Sequence, residues 1–369
     1  MHPDYKGLRV CYLLVSNMCN LNCVYCYERF KNKKKMTLKI AKLVLSEEIS
    51  MIGKEGWPDD LLIEFLGGEP FTNFSLIKDT CEWLWSTHKD KNFRLMCRTN
   101  GTCLTTESKE WLKDNRDRIS VGLSLDGLPE LQELNRKGSI HRIPLDFFVE
   151  NWPQEEIKSV ISPQGVHLLA ASAVSFYERK LAFNMSLAAG VDWGITAVLE
   201  LEKQLDILVD YLSKHPECVP VKGLFREDFL DLCHSIDSTR ERLCGSYNEI
   251  VAYSPEGEKY RCHIFSEITL GKELADYYCE DSHFPEKLEL DKACLGCPAH
   301  VLCNVCPGFN LIAGNEMNIQ DKRVCKSMFV LLRANCKLYL LKNQERAAKG
   351  NLSRAEWVCL KFALQHVKS

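Results

Sequence analysis

Residues 9–26 read RVCYLLVSNMCNLNCVYC, and the rest of the chain is best read outward from them. Residues 9–16 form an apolar, β-rich run, the pattern of a buried strand. Directly after it come Cys19, Cys23 and Cys26, spaced C-x3-C-x2-C. Three thiolates on one short loop can hold three irons of a [4Fe–4S] cube and leave the fourth iron open to a small molecule. A structural zinc knuckle or a redox pair is the competing reading. Structural zinc asks for four ligands, usually as two pairs, and no fourth stands beside these three.

The strand-then-polar-loop order repeats downstream. Thr37 can cap a helix running to about residue 51, with Leu38, Ala41, Leu45, Ile49 and Ile52 on one face. Residues 61–66 read as a second strand ending in Gly67-Gly68-Glu69-Pro70, followed by a helix over about 75–88. Residues 93–99 are a third strand ending in Asn100-Gly101-Thr102. A helix over about 106–114 leads to a fourth strand, 119–125, ending in Asp126-Gly127. Residues 157–162 and 183–189 supply a fifth and a sixth.

Strands alternating with helices specify a parallel sheet with crossover connections. In such folds ligands bind at the carboxyl ends of the strands, and four successive strand ends here carry polar or glycine-rich motifs. Six strands fall short of a closed eight-stranded barrel. The expected fold class is therefore α/β: a partial (β/α)6 barrel over residues 1–200. Connector helices follow over 201–242, with a helix over 200–214. A cysteine-rich domain over 243–340 and a carboxy-terminal helix over 341–369 complete the chain. Closing helices are expected over 335–347 and 354–367. The cysteine-rich region shows little periodicity and would lean on metal for its order.

Composition narrows the class. In 369 residues, 46% hydrophobic and 26% charged content excludes a largely disordered chain, and a net charge of −3 gives no bulk drive towards nucleic acid or an anionic membrane. No apolar stretch approaches the ~20 residues that span a bilayer. Asp4, Lys6 and Arg9 interrupt any signal-peptide core, so a cytoplasmic location is expected. Nineteen cysteines stand out. In a reducing compartment, clustered thiols point to metal rather than disulfides. The scattered Cys11, Cys81, Cys97, Cys103, Cys218 and Cys359 read as small buried hydrophobes.

The triplet, with Tyr25 before its last cysteine and Gly67-Gly68-Glu69-Pro70 after the next strand, closely resembles the radical SAM superfamily over residues 8–200. The resemblance implies that Cys19, Cys23 and Cys26 ligate a [4Fe–4S] cluster whose open iron binds S-adenosylmethionine (SAM). One-electron cleavage of SAM then gives a 5′-deoxyadenosyl radical. It also implies that Gly67, Gly68 and Glu69 receive the SAM amino group and that Tyr25 flanks the adenine. Ser124 and Asp126 become candidates for ribose or carboxylate contacts, with Thr99 and Asn100 further candidates. A strand-end cap is the competing reading for Ser124 and Asp126.

A second constellation runs Cys244-x12-Gly257-x4-Cys262, Cys294-x2-Cys297-x5-Cys303-x2-Cys306, then Cys325. It resembles the SPASM domain, an extension carrying two auxiliary [4Fe–4S] clusters. By that resemblance Cys294, Cys297, Cys303 and Cys325 hold one cluster, and Cys244, Cys262 and Cys306 part of the other. Its fourth ligand would be Cys233 or Cys279, unless the site is open to substrate. The last close pair has two intervening residues where the family has three, and a pair of zinc sites is the alternative.

The combined resemblance implies an enzyme: a maturase of ribosomally made peptides that installs an intramolecular thioether or carbon–carbon cross-link. Its partners would be a precursor peptide and a low-potential flavodoxin- or ferredoxin-type donor. Only eighteen residues precede Cys19. Leader recognition therefore falls to the connector, the carboxy-terminal region or a separate leader-binding protein. An anaerobic sulfatase-maturating enzyme is a second reading, disfavoured because His263 follows Cys262 where that group has aspartate. A non-catalytic iron–sulfur electron carrier and a small-molecule dehydrogenase are others. The basic run Arg29, Lys31, Lys33, Lys34, Lys35 reads as a solvated loop or a surface for an acidic peptide. His263 reads as a base, a group supporting Cys262 or a surface histidine. Trp152, Trp193 and Tyr177 read as core or as cavity lining.

Overall fold

The computed structural model describes residues 8–233, 249–280, 283–284, 291–303 and 306–368. Through residue 187 the order is β1 (Leu8–Ser16), α1 (Leu38–Met51), β2 (Asp60–Gly67), α2 (Phe74–Thr87), β3 (Phe93–Thr99), α3 (Thr106–Asp114), β4 (Ser120–Leu123), α4 (Pro129–Asn135), α5 (Leu145–Asn151), β5 (Ile157–Ile161), α6 (Leu169–Glu178) and β6 (Phe183–Leu187). Then come α7 (Gly194–Lys214), α8 (Leu230–Cys233), β7 (Ile250–Tyr253), β8 (Lys259–Tyr260), α9 (Glu267–Leu270), α10 (Lys272–Cys279), α11 (Pro307–Ile312), α12 (Cys325–Ala348) and α13 (Arg354–His366). The six expected strands are all present in the expected alternation. Among the described residues, no helix is long and apolar enough to cross a membrane.

The chain forms two compact units, each drawn from separated stretches. The first takes residues 1–124, 136–156 and 243–287. Its sheet runs β4-β3-β2-β1-β7-β8, all parallel except the β7–β8 pair. One face is apolar because helices cover it. Cys11 lies against Glu48 of α1 and Cys97 against Cys81 of α2, and Cys11, Leu13, Val15, Ile63, Phe65 and Cys97 are fully buried. Side chains alternate along a strand, so Tyr12, Glu64, Arg98 and Gly122 share the opposite face. Thr37 caps α1 as expected, accepting the Ile40 N–H.

Inside this unit lies a buried polar cluster. Glu48 of α1 accepts from Arg9 Nε of β1 at 3.0 Å and from the Tyr253 hydroxyl of β7 at 2.7 Å, so one carboxylate joins three elements. Arg9 also lies 4.6 Å from the ring centre of Trp57.

The second unit takes residues 125–135, 157–242 and 288–369. It contains the parallel pair β5–β6 and a helical layer in which α12 packs on α7 and α13. Arg333 of α12 pairs with Glu202 of α7 at 2.9 Å, and buried Asn335 donates to Leu224 O at 2.9 Å.

Several expectations are corrected. The helix expected over 200–214 starts at Gly194, and the one expected over 335–347 starts at Cys325. Of the six scattered cysteines, Cys11, Cys81, Cys97 and Cys359 are buried, but Cys103 and Cys218 are partly exposed beside short, polar turns. Cys336 joins the buried set on α12.

Candidate cluster and cofactor site

The cysteine loop leaves β1 through a register irregularity between Leu14 and Ser16, which frees the chain from the ladder. The Gly67–Glu69 segment then docks on it as a short continuation of the sheet. Gly68 N–H donates to Ser16 O at 2.9 Å, and Glu69 N–H to Met18 O at 2.7 Å. Both glycines are required by the chain itself. A Cβ at Gly67 would lie 2.1 Å from Ser16 O, and one at Gly68 would lie 2.5 Å from Met18 O and 3.0 Å from Cys19 Cβ. Gly67 also has φ +134°.

Cys19, Cys23 and Cys26 are all partly buried on this loop. Cys19 Sγ accepts the Leu21 N–H at 3.5 Å, and Cys26 N–H donates to Cys23 O at 3.1 Å. Burial pushes the Cys19 thiol up to about 11, and the Lys31 ammonium hydrogen-bonds Cys26. The three thiols sit together on one short loop, a donor set that suits a cluster with three cysteine ligands.

Glu69 is 1% exposed and its carboxylate works as a bracket. Oε1 accepts Phe71 N–H at 3.1 Å and Thr99 Oγ1–H at 2.7 Å; Oε2 accepts Asn100 N–H at 2.8 Å. Asn100 Nδ2 donates in turn to Asn20 Oδ1 at 3.0 Å, and Asn20 Nδ2 to Thr102 Oγ1 at 2.7 Å, so the end of β3 is tied to the cysteine loop. Burial raises the Glu69 carboxyl while these donors and Arg136 oppose it. Arg136, 7% exposed, lies 5.5 Å from the ring centre of Tyr25. Ser124 is partly buried, and its N–H donates to Thr99 O at 2.9 Å.

Asp126 belongs to the second unit. It is fully buried; Oδ2 accepts Asn135 Nδ2–H at 3.0 Å and Oδ1 accepts Val160 N–H at 3.1 Å, which joins β5 to α4. That arrangement matches the strand-end cap reading.

The carboxy-terminal cysteines fall in both units. In the second, Cys294, Cys297 and Cys325 are mutual electrostatic neighbours. Asp291 holds their two loops together: it accepts Ala293 N–H at 2.9 Å, caps the turn bearing Cys294, and pairs with Lys322 at 3.4 Å. Cys303 N–H donates to Ala299 O at 3.1 Å, and Cys306 precedes α11 as its cap residue. In the first unit, Cys262 Sγ lies 3.4 Å from His263 Nδ1, and Cys279 donates to Lys259 O at 3.0 Å. Cys244 lies outside the described residues. Cys233 hydrogen-bonds Cys359 and donates to Phe229 O at 3.6 Å, which places it in the α8–α13 packing.

The family model of the Radical SAM superfamily matches residues 13–143. This segment is a radical SAM domain. The chain is similar to the antilisterial bacteriocin subtilosin biosynthesis protein AlbA of Bacillus subtilis, 26% identical over 278 residues, which are 72% of this chain and 57% of that one. The chain spans between 30% and 57% of the length of such curated relatives. Among solved structures, anSMEcpe with bound AdoMet superposes with a TM-score of 0.64 at 17% identity, covering 96% of this chain and 98% of that one. Streptococcus suis SuiB bound to precursor peptide SuiA gives 0.52 at 17% identity, covering 85% and 75%. At those identities the likeness is one of fold: α/β, with the parallel sheet of the radical SAM architecture.

The first unit contains further groups that no spacing rule signalled. Arg136 is one. Another set lines up on the sheet face opposite the helices: His263 stands 4.7 Å from Tyr12 and 6.1 Å from Tyr27, ring centre to ring centre. Tyr27 senses both Cys26 and Cys262. His263 is partly buried rather than a surface histidine, and burial and Arg98 hold it down at about 4, hence neutral. Burial also pushes Glu28 up to about 8. The basic run is not a solvated loop throughout. Lys34 pairs with Glu267 at 2.7 Å and with Glu256 at 3.2 Å, and Phe30 N–H donates to Ile268 O at 2.9 Å, because α9 packs under it. Trp152 and Trp193 are core residues, donating to Ile119 O at 2.9 Å and Ala188 O at 3.1 Å. Tyr177 packs on Phe183 and Tyr211.

Proposed function

We propose that the chain is a radical SAM peptide-modifying enzyme, a maturase that installs a thioether or carbon–carbon cross-link within a ribosomally made peptide. The observation that carries this is the clamp of the Gly67–Glu69 segment onto the Cys19–Cys26 loop by two backbone hydrogen bonds. It presents three thiols and a glycine-lined turn to one place.

In this reading Cys19, Cys23 and Cys26 hold a [4Fe–4S] cluster, which when bound and reduced supplies the electron that cleaves SAM. Gly68 and Glu69 border the position of the SAM amino group, and Tyr25 the adenine. The Arg136 guanidinium, buried beside Tyr25, is placed to take the SAM carboxylate. Asn100, Thr99 and Ser124 keep the strand ends rigid around it, and Asp126 fixes the next strand as a positioning residue. Cys294, Cys297, Cys303 and Cys325, with Cys262, Cys306, Cys244 and Cys279, are assigned to two SPASM-type auxiliary [4Fe–4S] clusters. Asp291 orients the first loop pair. Cys233 is set aside as a ligand, since its thiol already packs on Cys359.

AlbA is named for bacteriocin biosynthesis, and SuiB binds a precursor peptide; both favour a peptide substrate here. A flavodoxin- or ferredoxin-type donor and a separate leader-binding protein would complete the system. Sulfatase maturation stays as the second reading, favoured by the fold match to anSMEcpe. Incubating the reconstituted protein anaerobically with SAM, dithionite and peptides encoded beside its gene tests this. A product lighter by two hydrogens and inert to carbonyl reagents is expected. A carbonyl-reactive product would favour sulfatase-type chemistry, and unchanged peptides beside active SAM cleavage would contradict the maturase reading.

A further inference from the structure

The first unit has a second concave feature, at the edge of the sheet where β3 and β4 begin. A cavity of about 400 Å³ is lined there by Trp85 of α2, Lys89 and Lys91 of the following loop, Arg94 at the start of β3, and Asp117 and Arg118 just before β4. Arg94 lies six residues before Asn100 on β3, so about 20 Å of strand separates the cavity from the residue that ties β3 to the cysteine loop.

The lining is mostly of one sign, in a chain whose net charge is −3. Arg94 is paired with Asp60 at 2.8 Å. Lys89, Lys91 and Arg118 have no carboxylate partner among the described residues, and Asp117 is the one acid of the lining. Asp90 separates the two lysines in sequence but lies outside the lining. Gathering like charges around a cleft costs stability until an anion enters, and such a cleft concentrates anions from solution.

Arg118 gives the cavity a specific geometry. Its guanidinium carbon lies 3.7 Å from the ring centre of Trp85. Trp85 stacks in turn on Trp111, 5.8 Å between ring centres with the planes 17° apart, and Trp111 Nε1–H donates to Glu82 Oε1 at 3.0 Å. The guanidinium therefore rests on the face of an indole that is itself held in place, a contact that takes none of its five N–H donors. Those donors make no hydrogen bond to any described residue. A fork held in this way matches two oxygens of a phosphate, and the two lysines add point charges beside it. Three unpaired cations ask for more than the single charge of a carboxylate, and a phosphate ester carries about two. The volume falls within the roughly 300–1,000 Å³ of small-molecule sites and exceeds what a lone phosphate ion fills.

We propose that this cavity is a binding site, distinct from the cysteine loop, for a small phosphate ester, with Arg118 gripping the phosphate and Lys89 and Lys91 neutralising it. The inference goes beyond the peptide-modifying reading and stands independently of it.

The test titrates fructose 1,6-bisphosphate calorimetrically into the reconstituted full chain, with fructose and the tricarboxylate tricarballylate at matched ionic strength as controls. The bisphosphate is expected to bind parent protein at least tenfold tighter than tricarballylate, and fructose not to bind. Arg118→Gln and the double variant Lys89→Gln/Lys91→Gln should each bind the bisphosphate at least tenfold more weakly. Lys361→Gln, which removes one exposed cation from α13, should bind it like the parent. Melting temperature and iron content report whether each variant folds. Should Arg118→Gln not fold, the lysine variant decides, since it leaves the Trp85 stack in place. Absence of binding by parent protein, parental affinity in either folded variant of the lining, equal affinity for tricarballylate, or an equal loss in Lys361→Gln would overturn the proposal.

Discussion

The Glu69 carboxylate accepts the Asn100 backbone N–H at 2.8 Å, so the turn after β2 and the end of β3 are joined through one buried side chain. The group expected to meet a cofactor is therefore also a structural bracket. Glu69→Gln places an amide N–H₂ against donors that need an acceptor. Loss of about 2–4 kcal/mol is expected from denaturant unfolding of the iron-free protein, together with weakened SAM binding. Thr99→Val, which removes one hydroxyl donor, should cost about 1 kcal/mol. Equal effects of the two would mean that Glu69 does not anchor the turn.

Gly68→Ala separates close backbone approach from mere loop flexibility. The added methyl would sit 2.5 Å from Met18 O, a backbone atom that moves only with the cysteine loop. Iron incorporation should fall several-fold. Gly122→Ala, where the nearest atom is a side-chain carbon 3.5 Å away, should incorporate iron like the parent. Iron-to-protein ratios after anaerobic reconstitution read this directly.

Glu48→Ala leaves the Arg9 guanidinium buried without its carboxylate and frees the Tyr253 hydroxyl. A loss of about 3–5 kcal/mol is expected. Lys34→Ala removes the partly exposed pairs to Glu267 and Glu256 and should cost about 1 kcal/mol. Urea midpoints of the two variants check the ordering.

Glu356 closes the capping box of α13: it accepts the Ser353 N–H at 2.8 Å and pairs with Arg346 at 2.6 Å. The Arg346 guanidinium and the cap hold its carboxyl down at about 2, from an ordinary 4.5. A depressed carboxylate stabilises the fold above its unfolded value and loses that contribution as pH falls through the folded one. The Tm gap between parent and Glu356→Gln should be widest above about pH 4.5 and close as pH drops towards 2. A gap that widens with acid would reverse the sign of the argument.

How much of this was legible follows from where the signals are local. Helices α3 and α13 lie within a residue of their expected bounds, and in each a side-chain cap, Thr105 or Ser353, marks the start. The starts of α7 and α12 were missed because Trp193 and Val324 make no side-chain cap bond, so nothing in the local sequence marks them. The pair β7–β8 went unread: four and two residues within a cysteine-rich run have no measurable period. At the site, the C-x3-C-x2-C spacing singles out the cysteine triplet, while Gly-Gly-Glu, taken alone an ordinary turn, enters only through the family resemblance. Arg136, and His263 beside Tyr12, arise from tertiary proximity, which no spacing rule encodes.

The central claim is that Cys19, Cys23 and Cys26 hold the cluster at which SAM is cleaved. Its most direct test is 5′-deoxyadenosine formation under anaerobic conditions, with dithionite and SAM, by parent protein, Cys19→Ala and Cys297→Ala. Parent and Cys297→Ala should both form 5′-deoxyadenosine above a protein-free control, and Cys19→Ala should form none. Formation by Cys19→Ala at the parental rate would contradict the account.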